Sequence, residues 1–320
     1  DKQRLPRVLV KISMIVSLLL ILALPAGGWL WFRASRVMPE RLPALTFLEE
    51  TGTGTLARLA FSSDPHIGAE HSDTSAARNI LKTVSAGGYD AFFLLGDIAE
   101  LGWPGTNLAE AFGMMEDELG ETPLATLMGN HDALAAGAKP YRIFADRSLY
   151  YRVDRGTVHV VAVNLLWGTE TLSMKQRRWL TETLDSIPRG DTVIVISHCF
   201  FYASGYVDAK TGQPWYDHED TIRSLAPLFA EKGVDLVVSG HNHFMEYLEP
   251  QGAGEPAYAV IGTMGGLPDP ERSYRSPASV WYRSGTYGYL DLAVGEDSLT
   301  LVFRDEYGAE LSTFTRKLSR

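Results

Sequence analysis

One cysteine, Cys199, stands in 320 residues, so neither an intramolecular disulfide framework nor a multi-cysteine zinc or iron–sulfur site is open to this chain. The H-E-x-x-H pattern of helix-borne zinc proteases is absent, and so is the G-x-S-x-G turn of serine hydrolases. Basic residues are scarce beyond the N-terminus. Residues 43–320 carry 22 Lys and Arg against 37 Asp and Glu, whereas residues 1–42 carry seven against two. An acidic body argues against duplex nucleic acid bound over a broad basic face, because that mode needs cations to displace phosphate counterions. Internal repeats and low-complexity segments are also lacking.

Long charge-free stretches are equally rare, with one exception. Residues 12–32 (ISMIVSLLLILALPAGGWLWF) hold no charged residue, and about 20 apolar residues in a helix match a hydrocarbon core of about 30 Å. A membrane-spanning anchor is expected there. Residues 1–11 form its basic flank, Trp29, Trp31 and Phe32 its aromatic border, and residues 33–55, with Pro39, Pro43, Gly52 and Gly54, a linker. The core of a cleavable signal peptide is the competing reading, with 25–28 as its processing region. Both readings put residues 56–320 on the extracytoplasmic face.

From residue 56 onward, short apolar runs alternate with helical patterns. Strands are expected at 56–62, 91–95, 124–128, 192–197, 234–239, 257–262, 286–294 and 298–304, and helices at 72–86, 106–119 and 219–232. A hairpin is expected in YYRVDRGTVHVVAVN, turning at Asp154-Arg155-Gly156, and Ser173 reads as a helix cap. The fold class is α/β with mixed sheets.

The polar residues that stand out follow apolar strand-like runs directly: FSS-Asp64-Pro65-His66, FFLLG-Asp97, LATLMG-Asn130-His131-Asp132, VIVIS-His198 and LVVSG-His241-Asn242-His243. Ligands bind at the carboxyl ends of strands in open α/β sheets, so five segments deliver carboxylates, an amide and imidazoles to one rim. Five of the eight histidines lie in these segments. A lone G-D is usually a turn and a lone histidine usually a satisfied core residue. Five such elements in order are hard oxygen donors mixed with imidazole, a set suited to Zn, Mn, Fe or Co.

In this order, D-x-H, G-D, G-N-H-D, a single H and G-H-x-H resemble the signature of the calcineurin-like metallophosphoesterases. The resemblance implies a four-layer αββα sandwich and two transition-metal ions (Mn, Fe or Zn). Asp64, His66 and His243 would hold one, Asn130, His198 and His241 the other, and Asp97 would bridge them. It further implies hydrolysis of phosphate mono- or diesters by a metal-bridging hydroxide, with His131 as general acid oriented by Asp132. The substrate is a phosphate ester, and the expected anchor raises a lipid-linked one. A nuclease or cyclic-nucleotide phosphodiesterase on the same framework, or a non-catalytic membrane-tethered binding protein, are the competing functions. Purple acid phosphatases, a branch of this family, place a tyrosine ligand three residues after the bridging aspartate, where this chain has Glu100.

Other features read more plainly. His159, in the apolar run TVHVVAV, is expected in the core, and His71 and His218 in solvent. Residues 199–218 and 263–285 are long for simple connections and are expected to wall the site. Their Trp215, Tyr216, Tyr274, Trp281 and Tyr282 read first as packing these loops onto the domain; the alternative is that they stack on a substrate while Arg272, Arg275 or Arg283 holds an anion. Cys199 is expected to turn away from His198, because neighbours in a strand face opposite sides.

Overall fold

Two mixed sheets, one with its parallel strands at one end and the other with them at its centre, organise the protein in the computed structural model, which describes residues 55–145, 148–165 and 171–318. The expected anchor and its flank, and all of the linker up to residue 54, lie outside the described residues. Among the described residues no helix is long and apolar enough to cross a membrane.

The first sheet is built on β1 (Thr55–Ser62), β2 (Ala91–Leu94) and β3 (Leu124–Thr126), which run parallel. The connections are α1 (Thr74–Ala86) and α2 (Thr106–Leu119). On the far side of β1 the late strands β13 (Gly288–Gly295), β14 (Ser298–Asp305) and β15 (Glu310–Lys317) join antiparallel, giving the order β15-β14-β13-β1-β2-β3. In the second sheet β5 (Val158–Ala162), β6 (Thr192–Ser197), β9 (Leu236–Ser239) and β11 (Ala257–Ile261) are parallel. Antiparallel edges complete it: β4 (Tyr151–Arg155) on one side, β10 (Met245–Leu248) and β12 (Ser279–Arg283) on the other. Helices α3 (Asn130–Ala133) and α4 (Ala138–Ala145) follow β3, α5 (Met174–Asp185) and α6 (Glu219–Lys232) flank β6, and the short antiparallel pair β7 (Tyr206–Val207) and β8 (Pro214–Trp215) stands between β6 and α6.

Side-chain alternation sorts the apolar residues into three layers of core. On β6, Ile194 and Ile196 face the other sheet and pack with Leu59, Phe61, Phe93 and Leu290, while Val193 and Val195 face Leu180, Leu184, Leu225 and Phe229 of α5 and α6. On β2, Phe93 points between the sheets, and Phe92 and Leu94 meet Ile80, Leu81, Leu108 and Phe112 of α1 and α2. Strands buried on both faces explain the uninterrupted runs FFLL and VIVIS. Ser173 caps α5 through Gln176 N, as its position suggested.

An ion-pair cluster fastens the antiparallel extension to β1. Asp291, only 3% exposed, accepts from Arg58 Nε and Nη2 and from Arg304 Nε at 2.8–3.1 Å. Burial pushes its carboxyl up, but the two guanidiniums outweigh this and hold it below the ordinary carboxylate range. Its contribution is therefore complete above that range and fades as pH falls through the depressed value. Asp291→Asn is expected to lower stability by about 2 kcal/mol at neutral pH, with the two proteins converging in acid, as read from denaturant melts at several pH values.

Some expectations change. The stretch 263–285 is not all loop: its end is β12, and Trp281 packs against Phe303 and Phe314 while Tyr282 packs against Phe244. Arg272 lies over the Tyr282 ring and beside buried Glu246, Arg275 donates to Ser279 O, and Arg283 donates to Thr286. Packing against the second sheet claims these groups. His218 is not simply solvated but caps α6, its Nδ1 taking bonds from Thr221. His159 is buried, as expected, between Asp154 and Asp191 at 2.7 and 2.9 Å.

Candidate metal centre

The parallel strands of both sheets end on one rim. Asp64 and His66 follow β1, Asp97 follows β2, Asn130 opens α3 after β3, His198 follows β6, and His241 and His243 follow β9. Asp64, His66, Asp97 and His241 all adopt positive φ, between 46° and 72°. Such conformations cost non-glycine residues about 1–3 kcal/mol each, and surrounding contacts must enforce them. Here Asp64 N donates to Gly96 O, His66 N to Asp97 O, and His241 N to Asp64 Oδ2. Gly96, at φ 107°, makes this crossing possible: a Cβ there would lie 2.7 Å from both Gly129 N and His198 Nδ1.

Three imidazoles are locked in one tautomer by acceptors behind them. His198 Nδ1 donates to Leu95 O at 2.9 Å, His243 Nδ1 to Leu267 O at 2.6 Å, and His66 Nδ1 to Glu100 Oε2 at 2.8 Å. Each therefore turns Nε2 inward, the arrangement that holds a metal-binding histidine in orientation. His66 Nε2 lies 3.7 Å from Asp64 Oδ1 and 3.6 Å from Asp97 Oδ2, His243 Nε2 3.5 Å from Asp64 Oδ1, and His198 Nε2 3.4 Å from Asp97 Oδ2. Asn130 Oδ1 and His241 Nδ1 approach His198 Nε2 at 3.0 and 3.1 Å. Three groups have their donor atoms within 4.8 Å of one another: Asp64–His66–His243 and Asp97–His198–His241, which hold the expected donors, and His66–Glu100–His131 beside them.

Two observations say that this donor set is made for cations. Asp64 Oδ1 and His66 Nε2 are buried and make no hydrogen bond, a costly state for polar atoms unless a ligand satisfies them. The charge balance agrees. Burial raises the Asp97 carboxyl, but His198 more than offsets it and brings it to about 2. Burial lowers His66, but the nearby Asp64 carboxylate and the bond to Glu100 lift it to about 10, and the same opposition between burial and Asp97 leaves His198 at about 9. His241, buried and facing His198, falls to about 3. The buried carboxylates thus draw positive charge into a site with no Lys or Arg among its donors.

The second residues of the G-N-H-D motif differ from expectation. Asp132 does not orient His131: fully buried, its carboxylate accepts from Ile98 N, Ala99 N and Gly129 N at 2.8–3.2 Å. It fixes the loops carrying Asp97 and Asn130, and burial followed by repulsion from Asp97 pushes it up to about 6. Glu100 takes the orienting place, its Oε2 3.3 Å and its carbonyl 3.0 Å from His131 Nδ1. His131 Nε2 is left free beside the centre, the ring 4.6 Å from that of His66. Glu100→Ala is expected to reduce turnover of a phosphate ester about 10–100-fold in a steady-state assay, by loosening His131 and His66 together. Asp132→Ala strands three buried amides and is expected to cost about 3 kcal/mol or more in thermal or denaturant unfolding.

Further contacts had weaker sequence signals or none. Trp215, one of the rim aromatics, stacks on His241 with ring centroids 4.9 Å apart, and Asp269 accepts from His243 N at 2.8 Å. Glu100 was detectable by its i+3 spacing from Asp97; nothing in the loop sequence marks Asp269.

A family model, calcineurin-like phosphoesterase, matches residues 57–245. The chain belongs to the calcineurin-like phosphoesterase family. Within it, two curated relatives from Arabidopsis thaliana stand out. One, named probable inactive purple acid phosphatase 9, is 27% identical over 186 residues, covering 52% of this chain and 28% of its own. The other, purple acid phosphatase 18, is 26% identical over 157 residues, covering 46% and 34%. The chain thus spans about a third or less of these relatives' length. Among solved structures, purple acid phosphatase PPD1 from yellow lupin (Lupinus luteus) seeds superposes with a TM-score of 0.66 at 15% identity, over 81% of this chain and 53% of the other, a likeness of fold.

Proposed function

We propose that this member of the family hydrolyses phosphate esters at a centre of two transition-metal ions. Asp64, His66 and His243 hold one, Asn130, His198 and His241 the other, and Asp97 both. Bound there, such ions supply Lewis acidity toward phosphoryl oxygens and a water acidic enough to ionise near neutral pH. The observation carrying this reading is the pair of buried, unpartnered donors Asp64 Oδ1 and His66 Nε2 facing each other across the centre.

The chain's own residues divide the remaining work. Glu100 holds Nδ1–H of His131, so the proton given to a departing alkoxide resides on Nε2, as general acid catalysis requires. Asp132 keeps the Asp97 and Asn130 loops in register, and Trp215 with Asp269 fixes His241 and His243. All seven donor positions are filled, which supports a working centre although one relative's name carries the word inactive. Residues 12–32 as an anchor, with the catalytic domain on the extracytoplasmic face and a lipid-linked substrate within reach, complete the proposal. Extraction of the full chain by alkaline carbonate rather than detergent would refute the anchor.

The deciding experiment removes metal with a chelator, restores Mn, Zn, Fe or Co, and follows both metal content and release of p-nitrophenol from its phosphate esters. Two ions per chain with restored turnover are expected. Stoichiometric metal without turnover of any ester rejects the reading.

A further inference from the structure

We infer that this centre prefers phosphodiesters over monoesters, with a small uncharged second substituent seated in a cavity beside Asn130 and His198; the inference rests on the phosphoesterase reading. A cavity of about 150 Å³ opens there, lined by Met128, Asn130, Ala133, Asn164, Leu165 and His198 among others. Pockets for drug-sized ligands begin at about 300 Å³, so this one takes one arm of a substrate rather than a whole one. None of its lining residues is charged except through His198.

The two arms of a diester have separate places. His131, the proton donor for a leaving alcohol, lies on the other flank of the centre against His66 and Glu100 and does not line the cavity. The cavity is therefore available to the substituent that stays. Asn164 is the polar handle at its wall. Val158, Val160 and Ala162 of β5 face the other sheet, and the alternation puts Asn164 on that same face, while Leu165 continues the helix-side face of Val161 and Val163. Gln176 clasps the Asn164 backbone from both sides, its Oε1 accepting from Asn164 N and its Nε2 donating to Asn164 O, each at 2.7 Å. This anchors the residue at the cavity wall, where an amide suits an alcohol-bearing arm such as a glyceryl group.

Charge points the same way. A monoester carries about −1.5 to −2 at neutral pH and a diester one charge. Among the described residues, the rim arginines that a second phosphate charge would call on are committed. Arg272 is bonded to Ser204 and Ser279 beside Glu246, Arg275 to Ser279 O, and Arg283 to Thr286. The anionic groups Glu100 and Asp269 stand close to the centre instead.

Methyl p-nitrophenyl phosphate and p-nitrophenyl phosphate share a leaving group and differ only in the second arm, so their kcat/KM ratio on the metal-loaded full chain isolates it. A preference of about tenfold or more for the methyl diester is expected. Equal or greater monoester turnover overturns the inference while leaving the phosphoesterase reading intact, and no turnover of either overturns both. A second readout is equilibrium binding by calorimetry. Asn164→Arg, with metal content retained, is expected to tighten inorganic phosphate about tenfold relative to dimethyl phosphate. No change in that ratio contradicts the cavity's role.

Discussion

Asp97→Asn is expected to remove the second ion and at least a thousandfold of kcat/KM. Asp97 Oδ2 lies between His66 Nε2 and His198 Nε2, at 3.6 and 3.4 Å, so one carboxylate serves both donor groups. Its other oxygen accepts from His131 N at 2.7 Å, which the amide oxygen of Asn can retain. The substitution thus isolates charge from geometry. Without that charge two cations repel across the centre with less to offset them, and the loss of several kcal/mol from metal-borne stabilisation corresponds to a thousandfold or more in rate. Binding to the folded state alone raises stability by about 2.7 kcal/mol at a hundred times Kd, so the rise in melting temperature on metal addition should shrink in the same variant. Two ions per chain with unimpaired turnover would remove Asp97 from the bridging role.

His131→Ala should leave both ions in place and slow hydrolysis by about 10²–10⁴ for esters of poor leaving groups, the range of a positioned general acid. p-Nitrophenyl esters, whose leaving group needs no proton, should lose far less. The measurement is a plot of log kcat/KM against leaving-group pKa for both proteins, with metal content determined alongside. Its slope should steepen in the variant. A parallel displacement of the two lines would assign His131 to electrostatic stabilisation of the phosphoryl group instead. His131 is suited to the first role because Glu100 occupies Nδ1 and leaves Nε2 to carry the transferred proton.

Much of the frame was readable from side-chain pattern. The runs FFLL and VIVIS are buried on both faces and end where their polar residues begin, so β2, β6 and the positions of Asp97 and His198 followed directly. Helices 106–119 and 219–232 and the cap at Ser173 were bounded by local chemistry and lie at those bounds. Strands β10, β12 and β15 escaped because MEYL and SVWYR are short and flanked by irregular chain, and because β15 is an edge with no fully buried residue. Asp132 was assigned the wrong partner for a related reason. Adjacent in sequence to His131, its side chain turns inward from the short helix α3, and only the packing of the Ile98–Ala99 loop decides what it meets.

The identity and order of the donors were thus set locally: each follows its own strand, and the chemistry of carboxylate, amide and imidazole is independent of the fold. Their division into two groups was not, since Asp64 meets His243 across 179 residues and Asn130 meets His198 across 68, contacts that exist only because two sheets end on one rim. The outer contacts belong to tertiary structure too. Glu100 behind His66 and His131, Leu95 and Leu267 carbonyls behind His198 and His243, and the neutral cavity at Asn164 depend on backbone positions that side-chain pattern does not encode. Hydrogen bonds to backbone carbonyls carry no residue-type signal, so the orientation of the donors is decided by packing alone.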